Sequence, residues 1–576
     1  MASHEASPAV LGIADLSAEL LYFVFEHFNL DASPGKGEVE CTKCFLNQPH
    51  YHDGQAERFR SVQNARLVCR RFNELATPYL VPVLEIKVDL ASLERADKLT
   101  QCPDIVRGIK IIHINVDYRP IWLSRDLYQF ISCRLKDLSK MKIECSHIIR
   151  RSEKQTDRWG GRLVIPEREE CKQAVARFGQ IRAAWNASYN GDFINTKDES
   201  LAPLQELLKK AHKLYQQRHA EQLFMIEDGS FVARASSYMV RLGRPISISF
   251  GSRFSHSALS EIHTGETWLP GQVPQIRNVD ILTDEDSLSQ FLTTPYSWNR
   301  IDYENLYDAH FKPLRIFPEL PIACHRADVR LREVSFQCFP VTHLCRDLSP
   351  GGRDRPREGW EELRAAFQYL EKFDFGRTGL TMDRNRHDEP SHVDAMGFRE
   401  YLGAALASPV LQTVYIKTWS HLCFRMGPVL ARSLTLNGRY LKRLHLHDMS
   451  MRQNELDAFC QRLPEGLEVL ELSRIIIWPG DWTDALDILR SKVARRCTEG
   501  QCEVVMKALA WDRPPNAPFH FSLQTPNPNE RVLDHAAPPM NPMVWRYVTG
   551  DDLDVNPLRI LGGIRGMLGP GRHGRR

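Results

Sequence analysis

Two groups of residues in this 576-residue sequence have the types and spacing for metal binding or proton transfer. The first is Cys41-Thr-Lys-Cys44, followed closely by His50 and His52. Thiolates and imidazoles ligate zinc, and four of them closing a loop would organise a segment with no core of its own. The two histidines are separated by one residue and follow Cys44 more tightly than in a zinc finger. The expectation here is therefore a solvated loop and no metal. The second group is His445 and His447, which alternate with Leu444 and Leu446. In a strand this places both imidazoles on one side, where they could shuttle a proton or bind an ion. The same alternation also describes an ordinary strand with one polar, exposed face, and that is the expectation. His113, also near an apolar strand, carries no further signal. No GxxxxGK[ST] phosphate loop, GxSxG elbow, HExxH helix or GxGxxG after a strand is present. The sequence points to no enzyme and to no cofactor.

The elements that would carry these residues follow from hydrophobic spacing. Leu16, Leu20, Leu21, Val24, Phe25 and Phe28 recur at three- and four-residue steps, which is helical, and Asp15 or Ser17 can cap the start. Turn residues Asp31, Ser33, Pro34, Gly35 and Gly37 interrupt the pattern. Over 61–80 one further helix is expected, with the stripe Val62, Ala65, Val68, Cys69, Phe72, Leu75 and Ala76, closed by Pro78. Short apolar strands follow at 84–88 and 109–116. Residues 150–200 are polar and poorly patterned. Amphipathic helices are expected at 201–223 and 230–241, and a strand at 246–250.

Further on, LREVSF (331–336), LEKFDF (370–375), LQTVYI (411–416), LKRLHL (441–446) and LEVLEL (467–472) share the form Leu-x-x-apolar-x-apolar. Helical stretches lie between them at 360–367, 398–407, 427–436, 454–462 and 482–497, and 502–506 reads as a last strand. Strand plus helix per repeat is the leucine-rich unit, whose copies must stack to bury their apolar sides. An ordinary α/β sheet has the same alternation. The expected class is α/β, with an irregular leucine-rich-repeat-like solenoid. Its strands would line one face with Tyr415, Lys417, Trp419, His445, His447, Glu471 and Ser473, a surface suited to binding a protein target.

The N-terminal residues carry a resemblance. Leu16, Glu19, Leu20 and then Leu67, Val68, Cys69, Arg70, Phe72 and Pro78 are similar to the two halves of an F-box, with Ser17 where that family has Pro. The rest resembles fungal-type F-box proteins with weak leucine-rich repeats. The resemblance implies an F-box-like helical module over 14–82 with an insertion at 29–60 and a repeat domain over 84–510, while the Pro-, Asn- and His-rich composition after Asp512 reads as a Pro-rich linker and flexible tail over 511–576. Within that tail the patch 544–560 can dock back on the domain. It also implies a Skp-type adaptor and a cullin ubiquitin ligase as partners, contacted through Leu16, Glu19, Leu20, Val24, Leu67, Val68, Cys69, Phe72 and Pro78. The target is an unknown protein.

Composition limits other classes. With 43% hydrophobic and 26% charged residues the chain can bury a large core. At about 150 residues per domain its length fits three or four units, or a repeat array with an attachment. Lys and Arg (75) nearly balance Asp and Glu (72), leaving no electrostatic footprint for nucleic acid or an anionic membrane. The Arg565, Arg572, Arg575 and Arg576 run reads as a solvated tail. No signal peptide or membrane span is recognisable, so a cytoplasmic or nuclear protein with reduced cysteines is expected.

Overall fold

The computed structural model describes residues 16–26, 60–159, 167–189, 199–251, 279–303, 312–336, 348–350, 356–376, 392–417, 440–477, 482–507, 509–511, 522–523, 541–551 and 553–559. Cys41, Cys44, His50, His52, Trp419 and the helix expected at 427–436 lie outside them.

Among the described residues the protein is α/β, built on one open sheet. Its strands are β1 (Val83–Lys87), β2 (Ile111–Asn115), β3 (Ile246–Gly251), β4 (Leu331–Phe336), β5 (Lys372–Gly376), β6 (Thr413–Lys417), β7 (Arg443–Met451), β8 (Val469–Ile477), β9 (Glu503–Lys507), β10 (Leu509–Trp511) and β11 (Ser522–Leu523). From β1 to β9 every neighbouring pair is parallel and the spatial order is the chain order. β10 extends beside β8, and β11 closes that end antiparallel.

Alternation fixes the two faces. Leu84, Ile112, Ile248, Val334, Phe373, Val414, Leu444 and Leu470 are register partners and all fully buried. Phe250, Phe336 and Phe375 belong to the next row of the same face. Their rings pack on Phe317 of one crossover helix, Ile316–Arg326, and on Tyr401 and Phe398 of another, His392–Leu406, at 5.0–5.6 Å. The apolar face is therefore the one that the crossover helices cover.

In front of the sheet stand helices α1 (Ala18–Glu26) and α2 (Arg70–Ala76). The single helix expected over 61–80 is two: residues 60–66 are helical, Leu67 and Val68 form a turn, and α2 restarts at Arg70. Cys69 accounts for the restart, because its thiol accepts the Phe72 N–H at 3.4 Å as an N-cap. The expected stripe is divided accordingly, with Val62, Phe72 and Ala76 buried and Val68 and Cys69 exposed.

Residues 150–200 differ from expectation in being largely helical. Leu127–Trp159 and Glu167–Tyr189 pack against each other. The second buries Cys171, Ala174, Phe178, Ile181, Ala184 and Trp185, a narrow helical stripe. The segment 511–576 also carries structure. Besides β11, helix α3 (Asn541–Thr549) buries Val544 and Val548 on the body of the protein, and Leu558 is buried as well. The patch at 544–560 thus docks back as its apolar residues require. No described helix is long and apolar enough to cross a membrane.

Candidate functional site

Two surfaces bring together residues of chemical interest. The first is the N-terminal module. Leu21, Phe25, Val62, Phe72 and Ala76 form a core of their own, separate from the core of the sheet. Phe25 and Phe72 meet edge to face at 5.4 Å and tie α1 to α2. Ser17 caps α1 by accepting the Leu20 N–H at 3.3 Å, so the helix starts without a proline. The Glu19 carboxyl titrates below its usual range, held there by backbone and Ser17 hydrogen bonds.

Outside this core the module presents apolar side chains to solvent. Leu20 is 52% exposed, Phe23 64%, Leu67 85% and Val68 60%. Single exposed apolar residues are ordinary, but four on a module whose own core has five buried residues are many for its size. Of the residues expected to contact an adaptor, Glu19, Leu20, Leu67, Val68 and Cys69 are exposed, and Leu16 and Pro78 are half-buried. Phe72 is buried and holds the module together instead. The Val24 side chain is outside the described residues. Phe23, more exposed than Leu20, is missed by the sequence pattern, which marks inward positions of a helix and gives no sign of which outward residues are apolar by need.

The second surface is the other face of the sheet. Glu85, His113, Ser249, Ser335, Asp374, Tyr415, His445 and Glu471 are successive register partners from β1 to β8. From β2 to β5 this polar row is fully buried, whereas from β6 to β8 it is half-exposed. The binding face expected from the sequence is thereby narrowed to Tyr415, Lys417, His445, His447 and Glu471, with Ser473, the register partner of His447, buried beside it. The simple exposed face expected for the two histidines is corrected: both are half-buried and interact with Glu471 and Tyr415. His445 Nδ1 lies 2.9 Å from Glu471 Oε2, and His447 Nε2 lies 3.6 Å from the same oxygen. The Tyr415 ring sits 5.9 Å from the His445 ring and 5.1 Å from that of His447.

The fold and its two surfaces define an α/β protein with a sequentially ordered parallel sheet and a small helical module at its N-terminal end. Comparisons with protein-family models, curated proteins and solved structures find no match for the chain.

Proposed function

We propose that the chain is the substrate-recognition adaptor of a Skp-cullin-F-box ubiquitin ligase. Its N-terminal module would dock on a Skp-type adaptor, and the half-exposed polar face of β6 to β8 would hold a target protein. The observation that carries this reading is the outward presentation of Leu20, Phe23, Leu67 and Val68 by a module with its own core. Fully burying each such side chain contributes about 1.5–3 kcal/mol. Four together reach the order of the 4–15 kcal/mol, roughly, that association costs in lost freedom. Glu19 and Arg70 lie in or beside the same segments and would supply a polar rim.

The finer fold reading belongs to the same proposal. Nine parallel strands in chain order among the described residues, with helices in most of the connections between them, are the arrangement expected of an irregular leucine-rich-repeat solenoid. Such a protein does no bond chemistry; it supplies proximity and orientation. A second reading, a protein-binding scaffold outside any ligase, is favoured by the 29–60 insertion between the two helical halves.

Co-purification of the full chain with a Skp-type adaptor tests the proposal, with an established F-box protein as positive control. A stoichiometric complex is expected. A folded chain that leaves the adaptor unbound while the control captures it removes the ligase reading. Adaptor binding without incorporation of cullin selects the scaffold.

A further inference from the structure

We propose that His445, His447 and Glu471 form a binding site for one divalent transition-metal ion of the zinc class. The site lies on the β6 to β8 face proposed above to hold a target, but it is argued from its own donor geometry and does not rest on docking of the N-terminal module.

The backbone assembles the donors. His445 and His447 stand two residues apart on β7, so their rings leave the sheet on the same side. Glu471 on β8 is the register partner of His445 and leaves on that side too. One donor atom from each residue lies within 4.8 Å of the other two, the one such trio of His, Cys, Asp or Glu among the described residues. A tetrahedral zinc ion bonded at about 2.0–2.1 Å sets its ligand atoms about 3.3 Å apart. The separations of 2.9 and 3.6 Å to Glu471 Oε2 bracket that value.

A second observation favours an ion over hydrogen bonding alone. His445 Nδ1 and Glu471 Oε2 are a satisfied pair, but His447 Nε2 is shielded from solvent and makes no hydrogen bond with any described residue. A shielded ring nitrogen that only approaches Glu471 Oε2, at 3.6 Å, without a hydrogen bond is destabilising, and coordination would satisfy it. Two imidazoles and one carboxylate suit zinc and similar ions, whereas magnesium and calcium prefer oxygen ligands alone. The Tyr415 ring packs against both imidazoles and restricts their rotation. Three protein ligands leave the fourth coordination position to water.

The test uses the full chain carrying Cys41→Ser and Cys44→Ser, so that no thiolate site in the insertion contributes. After chelator treatment, zinc is titrated by calorimetry and cobalt(II) by absorption. One zinc per chain is expected, with a cobalt spectrum lacking thiolate charge-transfer bands. His447→Gln and Glu471→Gln keep side-chain volume and are each expected to weaken zinc by about 100-fold or more, the upper range for losing even an outer-shell partner. Circular dichroism of the metal-free variants should match the parent. Absence of zinc binding in the parent overturns the proposal, as does undiminished affinity in both folded variants.

Discussion

Leu80 and Val81 are consecutive in the chain yet belong to different cores. Leu80 packs against the cluster of Leu21, Phe25, Val62, Phe72 and Ala76, while Val81 packs against the core of the sheet. The boundary between the helical module and the sheet therefore falls at one peptide bond. At this seam the turn Thr77–Tyr79 meets the helix Pro103–Gly108, and Gly108 faces the Pro78 carbonyl with no space for a methyl group between them.

Gly108→Ala should consequently strain the seam. Overpacking of this kind costs about 1–3 kcal/mol. Gly179, in the helix Glu167–Tyr189, has open space around it and serves as control. Gly179→Ala is expected to be neutral or to stabilise by up to about 1 kcal/mol through helix propensity. Urea unfolding of the two variants measures both effects.

The exposed apolar residues should separate stability from binding. Leu67→Asp and Val68→Asp alter side chains that the fold leaves in water, and each is expected to change stability by no more than about 0.5 kcal/mol. Phe72→Ala removes a buried ring from the small core and is expected to destabilise the module by about 3–5 kcal/mol. Thermal unfolding should therefore be unchanged in the first two and lowered in the third.

The strands were largely legible in the sequence, the module less so. Leu331–Phe336 is the LREVSF segment residue for residue, and β5 to β8 each begin two residues inside their Leu-x-x-apolar segments. A strand buried on one face writes that face as a strict alternation, so the signal is local. The helix Glu167–Tyr189 escaped because its buried Cys171, Ala174, Phe178, Ile181, Ala184 and Trp185 are interspersed with Arg, Lys, Glu and Gln, which leaves the apolar signal thin. The break at Leu67 and Val68 escaped because spacing alone runs through it; the determinant is a thiol cap at Cys69, a residue type that seldom caps. The contact of His445 with Glu471 required knowing which residue of β8 lies opposite, a register set by long-range pairing.

Two buried histidines should make stability fall in acid. His212 bonds the Leu123 carbonyl at 3.1 Å and His219 the Arg119 carbonyl at 2.6 Å, and burial lowers the pKa of both. The unfolded chain then takes up protons that the folded chain refuses. Their contribution is complete above an ordinary histidine pKa of about 6.5 and is lost as pH falls through the lower folded values. Melting temperature is expected to drop from pH 7 towards pH 5. His212→Gln with His219→Asn, which keep the carbonyl-facing donors, should flatten that part of the profile.

The C-terminal helix should be structural. Arg490 donates to the Tyr547 carbonyl at 2.6 Å, the Tyr547 hydroxyl meets Asp487 at 2.6 Å, and Asn556 donates to the Thr483 carbonyl at 2.8 Å. Ending the chain at residue 540 removes these bonds and uncovers the surface beneath Val544 and Val548. A lower melting temperature is expected.

The adaptor reading is tested most directly by calorimetric titration of a purified Skp-type adaptor into the full chain and into Leu67→Asp. Saturable one-to-one binding by the parent is expected, with its loss in the variant at an unchanged melting temperature. Equal affinity for both chains, or no heat from either while a control F-box binds, would contradict it.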